Sequence, residues 1–163
     1  MKNKRSGFSL IELLIVVVII GIIAAIAIPN LIAARRSANE GSAVSSLRVL
    51  HSAEMIYSRT AGNGFYTDNL IDLSNQQIID QTLGNGLKSG YRFVLASTPV
   101  LNNSTFTVGA VPLVAGGSLN TGTRKFCIAT EGIIRFENNP ATIGTNIAVD
   151  GDCNQTNFSV VSQ

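Results

Sequence analysis

The sequence predicts an α+β protein: one long N-terminal helix, its first half suited to a membrane, packed on an antiparallel sheet of three or four strands. Three observations carry this. Residues 8–34 form an apolar stretch whose only charge is Glu12. Residues 35–57 hold no proline and repeat apolar side chains at three- and four-residue steps. From residue 91 onward, short β-rich runs alternate with glycine- and asparagine-rich turns.

The chain has 163 residues, the size of one ordinary domain. Its formal net charge is +2, from 12 basic and 10 acidic residues, and nothing in that balance suggests a nucleic-acid binder working by bulk electrostatics. Charged residues make up 13% of the chain, against a globular norm of about 25%. The deficit is local, because residues 13–34 carry no charge at all.

The first seven residues are polar and basic, with Lys2, Lys4 and Arg5. A helix of about 20 apolar residues spans a bilayer. The basic end stays cytoplasmic, which sends the C-terminal bulk outward. Three readings compete: a plain signal-anchor, a secretory signal cut after Ala27 of Ala25-Ile26-Ala27, and a short processed leader. Glu12 decides between them. A carboxylate inside a membrane helix costs about 2.5–3.5 kcal/mol and is retained for function; an anchor or an ordinary signal has no use for it.

The string Lys4-Arg5-Ser6-Gly7-Phe8-Ser9-Leu10-Ile11-Glu12-Leu13 resembles the type IV prepilin motif. The resemblance implies that a membrane aspartic peptidase cuts between Gly7 and Phe8 and N-methylates Phe8. It puts Glu12 where the family keeps a glutamate, and Pro29 where the family has a helix-kinking proline. Residues 1–7 then become a removed leader, 8–34 a transmembrane and filament-core helix, 35–60 its amphipathic continuation, and 61–163 a globular domain. The implied partners are further copies in a helical filament, the prepilin peptidase, an assembly platform with a separate ATPase, and the inner membrane. The implied location is a single-pass inner-membrane precursor, then an extracellular pilus or periplasmic pseudopilus.

Physical chemistry supports that carry-over. After cleavage the Phe8 amine is cationic and stays so when methylated. It can neutralise Glu12 of a neighbouring copy within an apolar core, where an unpaired charge is strongly unfavourable. The pair then acts as a register device. Cleavage also removes Lys2, Lys4 and Arg5, which would otherwise crowd that core. Pro29 removes a helical hydrogen bond, and Gly21 is a second weak point, so a kink or melted stretch is expected near residues 22–29.

Beyond the membrane, Val44, Leu47, Leu50, Ala53 and Tyr57 form one stripe, with Arg36, Glu40, Arg48, Glu54 and Arg59 mostly off it. A helix over residues 8–58 would be about 75 Å long at 1.5 Å per residue. Residues 61–64 end it with turn signals, and a short helix is expected within 74–83. Strands are expected at 91–95, 105–108, 126–129 and 133–136, the last two flanking a Glu131-Gly132 turn. The tail from Asn138 is expected to loop over the sheet.

The arrangement resembles the pilin α/β roll. Leu47-Arg48, Ala53-Glu54, Tyr57, Gly90-Tyr91-Arg92-Phe93, Phe126-Cys127-Ile128 and Gly132-Ile133-Ile134-Arg135 resemble one pilin and pseudopilin subgroup. Cys127 and Cys153 fit no zinc spacing. They read as a disulfide if this region is exported, worth roughly 3–4 kcal/mol, or else as two buried thiols. The segment between them is similar to the variable disulfide-bounded region of pilins.

No enzymatic constellation is present in the sequence. His51 is the only histidine and lies on a predicted helix. Gly84-Asn85-Gly86 lacks the lysine of a phosphate loop, and no cofactor is expected. Asp150, Asp152 and Asn154 spell D-x-D-x-N without the rest of a calcium loop, and read as a polar turn. The glycosylation-like triplets at Asn102, Asn103, Asn154 and Asn157 read as chance. Lys88, Arg92, Arg124 and Lys125 read as a scattered solvated face, leaving nucleic acid possible but unsupported. The leading expectation is a non-enzymatic filament subunit serving adhesion, motility, DNA uptake or secretion. The alternatives are a type II secretion pseudopilin or minor pilin, a secreted binding module, and a membrane-anchored enzyme.

Overall fold

The computed structural model describes residues 8–97, 105–114, 116–117, 119–138, 153 and 159–161. Helix α1 runs Leu10–Thr60, 51 residues, with Gly21 and Pro29 inside it. Residues 22–29 are helical throughout. The chain divides into two units, Met1–Ala34 and Arg35–Gln163. In the first, the described side chains are almost all exposed, from Phe8 to Leu31. An apolar helix needs a partner or a lipid phase, and this unit has neither within it.

In the second unit, residues 40–58 of α1 carry the fold. Ala43, Leu47, Leu50 and Ala53 are buried, with Val44 and Tyr57 packed at the margin. The helix ends where the amides of Ala61 and Gly62 turn back on the Tyr57 carbonyl and that of Gly64 on Ser58. Asn63 and Gly64 have φ of 51° and 93°, and the second value suits only glycine. Two short helices follow, α2 at Leu70–Asn75 and α3 at Gln81–Gly84, each opened by a side-chain cap, Asn69 and Asp80. The expected single helix within 74–83 is thus two, because Asp80 accepts the Leu83 amide at 2.8 Å and starts a new turn.

The sheet is an antiparallel meander in the order β1-β2-β3-β4-β5-β6. Its strands are β1 Leu87–Lys88, β2 Tyr91–Ser97, β3 Phe106–Pro112, β4 Lys125–Ala129, β5 Ile134–Glu137 and β6 Ser159–Val160. Register aligns two rows of core side chains. One is Phe93–Ala110–Phe126–Phe136, the other Leu95–Val108–Ile128–Ile134. Alternation along each strand presents these to the helix. Among the described residues, six strands replace the three or four expected. The extra two span two residues each, too short to leave a period in the sequence. β1 pairs with β2 across Ser89-Gly90, whose φ values of 48° and 72° make the twist-matched two-residue hairpin turn. The Glu131-Gly132 turn is present between β4 and β5, with Gly132 at φ 80°. Most of the tail expected to cover the sheet lies outside the described residues.

Candidate functional site

The site begins where α1 begins. Phe8 is 78% exposed, and Gly7 lies outside the described residues. Ser9 precedes the first helical residue, and Glu12 stands three positions later. The Glu12 carboxylate accepts the Ser9 backbone N–H at 2.9 Å, while Leu13 donates to the Ser9 carbonyl. This is half of a capping box, S-x-x-E, in which a glutamate satisfies one of the orphan donors of the first turn. The anion also sits at the positive end of the helix dipole. Sequence reading missed this local role, although Ser9-Leu10-Ile11-Glu12 spells it. From Glu12 onward the side chains reach outward on every face: Ile15, Val18, Ile19, Ile22 and Ile26 are all about half exposed or more. By length and composition α1 can cross a membrane, with a window of mean hydropathy 3.2 that is unburied among the described residues.

At the other end of the chain, Cys127 and Cys153 form a disulfide with a Cα–Cα distance of 5.8 Å. Both are buried, and with Val111 and Ala129 they make a small cluster separate from the main core. Of the two readings left open by the sequence, the bonded one holds.

Residues 2–28 match the family model for the prokaryotic N-terminal methylation motif. This chain carries a prokaryotic N-terminal methylation motif. Curated relatives extend the likeness. The type IV major pilin protein PilA of Myxococcus xanthus is 35% identical over 125 residues, 73% of this chain and 52% of that protein. The type IV wide pilus major component PilA4 of Thermus thermophilus is 45% identical over 69 residues, 42% of this chain and 50% of that protein. The type II secretion system core protein G of Aeromonas hydrophila is 39% identical over 56 residues, 34% of this chain and 39% of that protein. The chain thus spans about half the length of these relatives, or less. No solved structure matches it significantly.

In the second unit, two acidic residues depart from expectation. Glu40 and Glu54 belong to the set expected mostly off the apolar stripe, yet both are buried. Each lies seven positions, two helical turns, from Leu47, so both share its face. Glu40 accepts the Thr123 amide and hydroxyl, each at 2.8 Å, and pairs with Arg124 at 2.7 Å. Burial opposes its charge, but those donors hold its carboxyl below the ordinary range. Arg124 in turn lies over the rings of Phe126 and Phe136 at 5.5 and 5.3 Å.

Glu54 is fully buried. One oxygen accepts the Thr67 amide at 3.1 Å, and Oε1 has no hydrogen-bond partner among the described residues. Burial raises its pKa from 4.5 to about 8, aided by the negative charges of Asp72 and Asp68. The unfolded chain therefore releases this proton first. Stability falls as pH rises from about 4.5 to 8 and is level beyond. A Glu54→Gln variant removes that dependence. We expect its melting temperature, relative to the parent in the same detergent, to rise steadily between pH 5 and 8. A constant difference across that range would contradict the assignment.

The remaining candidates are structural. His51 Nε2 lies 3.1 Å from the Thr130 carbonyl and its ring packs on Phe106 at 5.5 Å. Of the four basic residues, Lys88 pairs with Asp80, Arg124 with Glu40 and Lys125 with Glu137, and Arg92 is exposed. Asp150, Asp152 and Asn154 lie outside the described residues, as do Asn102, Asn103 and Asn157.

Proposed function

We propose that this protein is a non-enzymatic structural subunit of a type IV pilus or a related filament. The precursor sits in the inner membrane through residues 8–34, with the folded unit outside the cytoplasm. A prepilin peptidase cuts between Gly7 and Phe8 and methylates Phe8, and an assembly platform packs copies helix against helix. The observation that carries this reading is a single carboxylate, Glu12, in the otherwise uncharged and almost wholly exposed stretch 8–34 of α1, in register behind the Gly7–Phe8 bond. In the membrane Glu12 is held by its own helix cap; in the filament it exchanges that partner for the cationic Phe8 amine of a neighbouring copy. Gly21 and Pro29 mark where the helix would yield during packing.

The likeness to type II secretion core protein G favours a second reading, a periplasmic pseudopilin. Mass spectrometry of the mature N-terminus, from membranes and from sheared surface fibres, separates the two. We expect a chain starting at N-methyl-Phe8 in the sheared fraction. The same terminus confined to membranes would favour the pseudopilin. A chain starting at Ile28 would end the filament reading.

A further inference from the structure

We propose that the folded units of neighbouring copies dock through two unlike surfaces, Arg92 of one copy pairing with Asp68 of the next inside an apolar surround. The inference rests on the filament reading above and names the surfaces through which copies meet. Among the described residues of the second unit, the ion pairs are Lys88 with Asp80, Arg124 with Glu40, Lys125 with Glu137 and Arg135 with Glu131. Arg92 and Asp68 have no oppositely charged partner there, and both are exposed.

The sheet register builds the first surface. Tyr91 and Phe93 are buried on the side of the sheet that faces α1, so Arg92 between them stands on the opposite side. Its cross-strand partners are Leu87 on β1 and Val111 on β3. Directly opposed residues share a face, so both flank the arginine. Leu113 follows two positions after Val111 and stays in line, because its amide donates to the Gly90 carbonyl at 2.9 Å. Leu87 and Leu113 are exposed, and Val111 is half-buried. The result is an unneutralised cation set among aliphatic side chains.

The second surface is the turn that joins α1 to α2. Its inward side is fixed. The Thr67 amide donates to Glu54 at 3.1 Å and its hydroxyl to Asp72 at 2.7 Å, the Tyr66 ring packs on Phe106 at 4.7 Å, and Leu70 is buried. Phe65, Asp68 and Ile71 take the intervening positions, and all three are exposed. Here an unneutralised anion accompanies one aromatic and one aliphatic side chain. Each surface leaves in water both apolar area and a charge that the other would cover and neutralise. A second copy is the favoured occupant because the complement of each surface lies on this same chain.

One copy cannot join its own two surfaces. Ser89, in the turn before β2, accepts a hydrogen bond from Ser42 of α1, whereas Thr67 is held by Glu54. Those anchors stand twelve residues apart on one helix, about 18 Å along its axis. The pair therefore forms only between copies. Because the surfaces are unlike, each docked copy keeps one of them free for a further neighbour. The contact propagates instead of closing as a two-fold dimer.

Full-length charge reversals test this. Arg92→Glu and Asp68→Arg should each lower the yield of sheared fibres by about tenfold at unchanged membrane levels. The variant carrying both restores opposite charges and should recover most of the parent's yield. Single variants at the parent's yield overturn the inference. So does a double variant that recovers nothing, the result that misfolding or a different partner for Arg92 would give. A short bis-maleimide cross-linker supplies a second readout. Phe65→Cys and Leu113→Cys in one chain should give a ladder of linked oligomers from fibres, and either cysteine alone should give monomer. Dimers from a single cysteine would mean contact between like surfaces and overturn the inference. If the parent chain forms no fibres, the filament reading falls, and the membrane fraction decides the contact: a ladder there upholds it, and monomer overturns it.

Discussion

Full-length protein carrying Glu12→Gln is expected to insert in the membrane and be cleaved, but to yield fibres reduced by about 10²–10⁴-fold. The reason lies in the two roles of this side chain. Glutamine can still accept the Ser9 amide, so the helix cap survives. What it loses is the charge that, in the proposed filament, would neutralise a neighbouring Phe8 amine. Leaving one partner of a buried ion pair uncompensated costs about 3–5 kcal/mol, which is the stated factor per contact. Glu12→Ala should add loss of the cap, about 1 kcal/mol, and destabilise the first turn as well. Quantitative immunoblots of sheared and membrane fractions measure both. Normal fibre yield from the glutamine variant would show that capping, not charge, is what the glutamate contributes.

Replacing Cys127 and Cys153 together by alanine should lower the stability of the folded unit by about 2–5 kcal/mol. For a unit of this size that is roughly 10 °C in melting temperature. The bridge closes a sequence separation of 26, and its sulfurs are buried against Val111 and Ala129. The effect should be uneven. β6 follows Cys153 and holds to β5 by a two-residue pairing and the Val161 amide on the Ile134 carbonyl. Hydrogen exchange should therefore accelerate first at Val161, while β2, β3 and β4 retain protection. An unchanged melting temperature would mean that the covalent link contributes nothing the sheet does not already supply.

The parts of the fold with long periods were readable from the sequence. Leu47, Leu50 and Ala53 announced the buried face of α1, and the Phe126-Cys127-Ile128 and Ile134-Arg135-Phe136 runs announced a hairpin. The reading failed where the deciding partner is distant. Glu40 and Glu54 look solvent-facing because glutamate usually is; Thr123 and Arg124 lie 83 and 84 positions from Glu40. β1 was invisible for the opposite reason: its pairing depends on the backbone of Ser89 and Gly90, not on any side-chain pattern. At the candidate site the motif was legible, but half of its physics was not. Glu12 was read entirely through a neighbouring copy, while its nearest partner is Ser9 of its own chain.

The bare stretch of α1 has a consequence for how copies could adhere. Between residues 8 and 34 nearly every described side chain is exposed. Lipid can solvate such a greasy rod as readily as sister rods can. In a filament of the proposed kind, growth and withdrawal would be a partition between two comparable oily surroundings, a balance that a modest push at the base can tip either way.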